Sequence, residues 1–299
     1  MRYKTLGNSG LQVSEIGFGC MSLGTDYATN RTLLYSALDQ GITFFDTADL
    51  YQRGANETTV GKAFKGHRKD VVLATKVGNV WRPDGSGWDW APTKAYVLQA
   101  VEESLKRLET EYIDLYQLHG GTLDDPLDEL IEAFELLKQQ GRIRAYGISS
   151  IRPNVVREYV ERANLASVMM QYSLLDRRPE ESCLSLLQEH QIGVLARGSF
   201  AQGLLVGKAS KEYLSYPKEV VDSAAAAVRR VAQANARTAV EVAARFVLHH
   251  PAVSSAILGI RTEEQLAEAV ALAEAPPLTA QEMQLLQQAL PPNTYEQHR

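Results

Sequence analysis

The stretch Gly41-Ile-Thr-Phe-Phe-Asp-Thr-Ala-Asp-Leu-Tyr51 holds the first residues able to do chemistry. Ile42, Phe44 and Phe45 read as a strand buried on both faces, and the apolar run stops at Asp46. Tyr51 follows after a short polar link, and Gly54 and Asn56 lead into an apolar-periodic stretch from Thr58 to Phe64. An acid and a phenol are thus presented where a strand hands over to a helix. Later strand-like runs also end on polar residues: Val71 to Lys76, Tyr112 to His119, Ala145 to Ser149 (with Ser150 next), Ser167 to Gln171 and Gly193 to Arg197. Each has an ordinary structural reading alone, as a capping Asp, a half-exposed Tyr, a solvated Lys, a rim His or a Gln bonded to backbone. Their recurrence at successive strand ends points to a shared site. A phenol of pKa about 10 is a poor acid near neutrality. A lysine ammonium beside it favours the phenolate, and an aspartate bonded to that lysine keeps it charged and placed. A neutral histidine can hold the oxygen of a bound carbonyl near the phenol. The result is a proton donor aimed at a carbonyl oxygen. The sequence has no metal-ligand cluster and no nucleophile elbow, so the electrons must come from a cofactor.

These residues need a scaffold that brings strand ends together. Residues 2–14 read as a hairpin turning at Asn8-Ser9-Gly10. Ile16 to Gly19 is a short strand, and strand–helix units follow in series. Helices are expected at 30–40, 56–65, 93–108, 126–140, 153–163, 179–190, 218–234, 238–249, 263–273 and 279–290. The segment Trp81 to Pro92 reads as a Trp-, Gly- and Pro-rich loop, and Ser255 to Gly259 as the eighth strand. Eight strands, most followed by a helix and without a linker-like break, predict an α/β fold. The expected architecture is one (β/α)8 TIM barrel domain over residues 1–299, with an N-terminal β-hairpin cap and extra helices near the C-terminus. A doubly wound sheet is the competing architecture. It would want a glycine-rich phosphate turn after the first strand, and Ile16-Gly-Phe-Gly-Cys-Met carries only a fragment of one.

The 299 residues are 45% hydrophobic and 22% charged, with a formal net charge of -5. That balance fits a globular protein and excludes a basic footprint for nucleic acid. No apolar run approaches the roughly 18 residues of a membrane span, and the start Met1-Arg-Tyr-Lys-Thr lacks a signal-peptide core. The expectation is a cytoplasmic protein with a small-molecule partner. Cys20 and Cys183 lack metal-type spacing, and both are expected reduced.

The ordered motifs resemble the aldo-keto reductase superfamily. They are Phe45-Asp-Thr-Ala-Asp-Leu-Tyr51, Leu73-Ala-Thr-Lys76, Glu103 to Leu108 followed by Tyr112 to His119, Gly141 to Ser149, Gln171-Tyr-Ser, and Gly203-Leu-Leu. The resemblance runs from the hairpin to the helix after the eighth strand. It implies a barrel that reduces aldehydes or ketones with NADPH, with NADH less favoured, and Asp46, Tyr51, Lys76 and His119 as its catalytic tetrad. By position, Tyr51 would be the general acid, Lys76 and Asp46 would tune it, and His119 would orient the carbonyl. Ser149, Ser150 and Gln171 would meet the nicotinamide carboxamide, with Arg197 beside the ring. Gly203, Leu204 and Lys208 would lie along the pyrophosphate. Gly259, Arg261 and Gln265 would serve the adenosine end, with Arg261 reading the 2'-phosphate. No metal is implied. Tyr27, Trp81, the loop with Trp88 and Trp90, and the segment after His119 are expected to line the substrate pocket.

The chain departs from the family pattern at Ser150, where asparagine is frequent, and at Arg197, where an aromatic residue often stacks on the nicotinamide. A guanidinium is planar and can also stack. Ala269 replaces a frequent asparagine, and a common lysine near Gly259 is missing. A nucleotide-binding regulatory subunit, like the channel-accessory members of the superfamily, is the alternative reading. A barrel aldolase using Lys76 as a Schiff base would leave Tyr51, Gln171 and the loop after the eighth strand without a role.

Overall fold

Two glycines shape the start of the chain. Gly7 and Gly10 have φ of +54° and +77°, which turn the chain between β1 (Tyr3–Thr5) and β2 (Gln12–Ser14). The two strands pair antiparallel, Tyr3 opposite Ser14. A Cβ at Gly7 would lie 2.4 Å from the Ala166 carbonyl oxygen, so only glycine allows the hairpin to sit this close to what it caps. The computed structural model describes residues 1–299.

Then strands and helices alternate. The first units are β3 (Ile16–Gly19), α1 (Tyr27–Asp39), β4 (Phe44–Asp46), α2 (Ala55–Ala63) and β5 (Val72–Val77). A small hairpin follows, β6 (Asn79–Trp81) and β7 (Trp88–Trp90), before α3 (Lys94–Arg107). Next come β8 (Ile113–Leu118), α4 (Leu127–Gln139), β9 (Ile143–Ser149), α5 (Pro153–Arg162), β10 (Ser167–Gln171), α6 (Cys183–Glu189) and β11 (Gly193–Arg197). The chain closes with α7 (Lys218–Ala234), α8 (Ala239–Leu248), β12 (Val253–Gly259), α9 (Glu263–Glu274) and α10 (Ala280–Gln288). β3, β4, β5, β8, β9, β10, β11 and β12 form a closed parallel barrel in that order. This is the (β/α)8 architecture, with β1–β2 as its cap and α7 and α10 as additional packed helices.

Strands buried on both faces explain why their sequences read as continuous apolar runs. One face of each feeds a small inner core: Phe44, Ala74, Leu115, Ala145, Met169, Leu195 and Ile257, plugged by Leu6, Leu11 and Val13 of the hairpin. The other face packs on the helices. Phe45, for example, stacks against Phe18 and Phe64. No helix is long and apolar enough to cross a membrane, and both cysteines are buried and free.

The structure differs from the sequence reading at three places. The Trp81–Pro92 loop contains β7 and ends a hairpin, because Trp81 and Trp88 face each other across it with ring centroids 5.5 Å apart. α1 starts three residues early, since Asp26 accepts from the Thr29 amide at 2.7 Å and caps it. The helix expected at 179–190 opens instead as a 3-10 turn, Arg178–Glu181, with α6 following.

α2 packs against the end of α3 through Gly61, where a Cβ would sit 2.5 Å from the Arg107 carbonyl oxygen and Leu108 backbone. Gly61→Ala should therefore lower unfolding stability by about 1–3 kcal/mol, the usual cost of overpacking. Urea unfolding measures it. An unchanged midpoint would mean the α2–α3 contact yields without cost.

Candidate active site

β4 and β5 are adjacent parallel strands, with Asp46 opposite Ala74, so Lys76 emerges one step further along the same rim. Lys76 is buried, 1% exposed, and its Nζ donates to Asp46 Oδ1 at 2.6 Å and to the Thr47 carbonyl at 2.7 Å. The third Nζ contact is the Tyr51 hydroxyl at 3.3 Å. Gln117 of β8 donates to the other Asp46 oxygen at 3.3 Å. Burial acts against the ammonium, but Asp46 and Tyr51 outweigh it and hold Lys76 above the usual lysine range. His119 follows β8, its amide bonded to the Val77 carbonyl at 2.7 Å. Its ring meets the Tyr51 ring edge-on, centroids 5.9 Å apart. Burial, then Lys76 and Arg197, push the His119 pKa down to about 3, so the imidazole is neutral near pH 7. Its Nδ1 is buried without a partner.

The backbone that delivers Tyr51 is strained. Gln52 and Arg53 have φ of 51° and 57°, and Gly54 has 84°. Left-handed residues other than glycine cost roughly 1–2 kcal/mol each, and here buried polar contacts hold them. Gln52 donates to the Leu23 carbonyl at 3.0 Å. Asn56 accepts from Thr47 at 2.6 Å and donates to the Cys20 carbonyl at 2.8 Å, tying α2 to β3 and β4. Glu57 accepts from Thr75 and Arg107, both at 2.6 Å. Beside it, burial and the Glu57 charge push Asp49 up to about 8.

Two cavities open on this rim. The first, about 830 Å³, contains Asp46, Tyr51, Lys76, His119, Ser149, Ser150 and Arg197. The second, about 490 Å³, contains Gly203, Lys208, Gly259, Arg261 and Gln265. Met21, Ser22, Gly198, Ile257 and Gly259 line both, so the two form one groove. The Lys208 stem lies over Gly203, where a Cβ would meet Lys208 Cδ at 2.8 Å. A long, phosphate-bearing nucleotide fits such a groove: an acid–ammonium–phenol group at one end and two cations, Lys208 and Arg261, at the other.

The aldo/keto reductase family model matches residues 15–291. The chain belongs to that family. It is 51% identical, over the whole of both chains, to the uncharacterized oxidoreductase YqkF of Bacillus subtilis strain 168. The aldo-keto reductase AKR11C1 of Bacillus halodurans, in its holo form, matches with a TM-score of 0.94 and 50% identity, over 100% of this chain and 99% of that one. An NADH-specific methylglyoxal reductase of Escherichia coli K12 is 31% identical over 72% of each chain.

Within this family fold, four expected site residues take other positions. Tyr27 is the first residue of α1 and lines neither cavity, because Asp26 caps the helix there. Trp81 lines neither cavity; its Nε1–H donates to the Leu50 carbonyl at 3.1 Å and its ring lies under Arg53. Trp90 takes the wall instead. Leu204 is buried in the core, 2% exposed, so its side chain is absent from the groove. Gln171 is outside both linings: it donates to the Tyr213 hydroxyl at 2.8 Å and accepts from Arg197 at 3.2 Å. Gln265 lines the groove but uses its Oε1 to accept from the Arg261 amide at 2.8 Å. Sequence reasoning missed Met21, Leu50, Ile151 and Arg152 in the walls. All four lie within a few residues after a strand end, of β3, β4 or β9, and that was the available signal.

A histidine whose folded pKa is depressed contributes stability above its unfolded value near 6.5 and loses it as pH falls toward 3. His119→Asn should therefore lose less melting temperature than the native protein between pH 7 and pH 4. Parallel losses would mean His119 is not held neutral by its surroundings.

Proposed function

We propose that this protein reduces aldehyde or ketone carbonyls, with NADPH as the hydride source and Tyr51 as the proton donor. The observation that carries the reading is the buried Lys76 ammonium bridging Asp46 and the Tyr51 hydroxyl at the closed end of a nucleotide-sized groove. NADPH, when bound, supplies the hydride that the carbonyl carbon receives. The protein's part is to place and stabilise charge. Tyr51 gives its proton to the carbonyl oxygen, and Lys76 at 3.3 Å stabilises the negative charge left on the phenol. Asp46 holds that ammonium in place through the turnover, in a pocket where burial strengthens every electrostatic contact. His119, neutral, offers one N–H toward a carbonyl oxygen without competing for the proton. Run backwards, the same residues oxidise an alcohol with Tyr51 as base.

The family uses more than one nucleotide, since the related E. coli methylglyoxal reductase is NADH-specific and a Schizosaccharomyces pombe relative is named for NADP(+). Choice then rests on charge at the far end of the groove. Lys208 and Arg261 are two cations against the one carboxylate of Glu268, which favours a 2'-phosphate. Ser149 and Ser150 line the tetrad end and suit the nicotinamide carboxamide, with Arg197 beside them. Gln171 joins them by exchanging its bonds to Arg197 and Tyr213 for the ligand. The backbone at Gly203, rather than the Leu204 side chain, suits the pyrophosphate.

Tyr51→Phe should keep NADPH affinity while turnover of 4-nitrobenzaldehyde falls roughly 10²- to 10⁴-fold, the range for loss of general acid catalysis. A near-native rate would remove Tyr51 from this role. Arg261→Ala should weaken NADPH far more than NADH in fluorescence titrations, and equal weakening would mean that Arg261 does not read the 2'-phosphate.

A further inference from the structure

The wall of the tetrad cavity is unevenly charged. Asp46 is its single carboxylate, bonded to Lys76 at 2.6 Å, while two guanidiniums, Arg152 and Arg197, also line it. The order of strands around the barrel separates them. Arg197 ends β11, beside β12, whose last residue Gly259 leads into Arg261. Arg152 follows β9, whose neighbour β8 leads into Gly120 and Gly121. So Arg197 lies on the side of the nucleotide cations, while Arg152, two residues past Ser150, is drawn to the opposite side by the loop after β8.

Arg152 sits instead with a fixed aromatic wall. Its Nη1 donates to the Gly121 carbonyl at 2.6 Å. That is its one guanidinium hydrogen bond, and no carboxylate pairs with it. The Trp90 ring lies against the two glycines nearby: a Cβ at Gly78 would be 2.5 Å from Trp90 Cζ3, and one at Gly120 3.3 Å from Cη2. From the far side, Trp90 Nε1–H donates to Asp125 Oδ1 at 2.9 Å. Asp125 is itself held by the Thr122 hydroxyl at 2.8 Å and the Thr122 amide at 2.7 Å. The indole therefore cannot swing freely, and any larger residue at Gly78 would displace it. Beside this flat apolar face stands a half-buried guanidinium with most of its donors free, the arrangement that takes a carboxylate in bidentate fashion.

Building on the carbonyl-reductase reading, we propose that the substrates of this site carry a flat apolar body and a carboxylate, with Trp90 and Arg152 as the specificity-determining residues. Trp90 takes the flat body and Arg152 the carboxylate. In the reaction the carbonyl carbon gains the hydride and its oxygen the Tyr51 proton, and the carboxylate is unchanged.

Two aldehydes of nearly the same shape and different charge test this: 4-carboxybenzaldehyde and 4-nitrobenzaldehyde, with saturating NADPH and the full-length protein. The native enzyme should show the lower KM for the carboxylate. Arg152→Gln should raise that KM roughly ten- to hundredfold, the size of one lost charge-assisted contact, and the nitro KM far less, with kcat for the carboxylate nearly held. Trp90→Ala should raise both KM values. Benzoate, titrated against the protein without turnover and followed by tryptophan fluorescence, should bind more weakly to Arg152→Gln by a similar factor. Equal KM values for the two aldehydes in the native enzyme, together with their reduction, overturn the carboxylate handle and leave the reductase reading standing. A larger loss of NADPH affinity than of carboxylate KM in Arg152→Gln overturns it as well, since the guanidinium would then serve the nucleotide. No reduction of either aldehyde overturns the reductase reading and this proposal with it.

Discussion

A charged lysine inside a closed barrel is the constraint on which the site depends. Removing an ammonium from water costs several kcal/mol unless close partners compensate. Lys76 has three: Asp46, the Thr47 carbonyl and the Tyr51 hydroxyl. Those partners come from β4 and the loop after it, while Gln117 on β8 supports Asp46 from the other side. The pairings Asp46 with Ala74 and Lys76 with Gln117 across neighbouring strands are what bring them together. A slip of one residue in either register would turn these groups to the opposite face of the sheet and strand the ammonium. The site and the register of three strands are therefore a single structural condition.

Around this pair the protein keeps a layer of buried polar groups that hold geometry without facing the cavity. Glu57 links Thr75 of β5 to Arg107 of α3. Asn56 ties α2 to the turn after β3. These contacts fix helices to strands at the end of the barrel where the strained Gln52–Arg53 turn must be kept. At the opposite end the β1–β2 hairpin closes the inner core through Leu6, Leu11 and Val13, beside the buried ion pairs of Glu15 with Arg245 and of Asp114 with Arg68 and Arg144. Buried polar bonding thus anchors both ends of the barrel, while hydrophobic closure belongs to the hairpin end.

The groove on the rim is electrostatically divided. Cations recur along it, at Lys208, Arg261, Arg197 and Arg152, with carboxylates only at Asp46 and Glu268. A chain of net charge -5 has gathered positive charge where anionic groups would be received. Overall composition hides this, because the acidic residues lie elsewhere on the surface.

The strand ends at Asp46, Lys76 and His119, the run of strand and helix signals, and the order of the family motifs were readable in one dimension, since apolar runs, caps and motif spacing are local properties. Composition and pattern alone determined an α/β barrel with its chemistry on one rim, and membership in the aldo/keto reductase family follows from motif order and the matching relatives. Which aromatic residue faces the cavity was not local. Trp81, Trp88 and Trp90 lie within ten residues, and only the β6–β7 pairing, the space above Gly78 and Gly120 and the Asp125 acceptor turn Trp90 inward while Trp81 bonds Leu50. Leu204 and Gln171 sit at family-like positions, but packing buried one and Tyr213, forty-two residues away, engaged the other. The sequence by itself determined which groups are available and at which strand ends. Tertiary structure decided which of them meet, because contact between distant residues depends on register, on the room left by glycines and on where each buried polar group finds its partner.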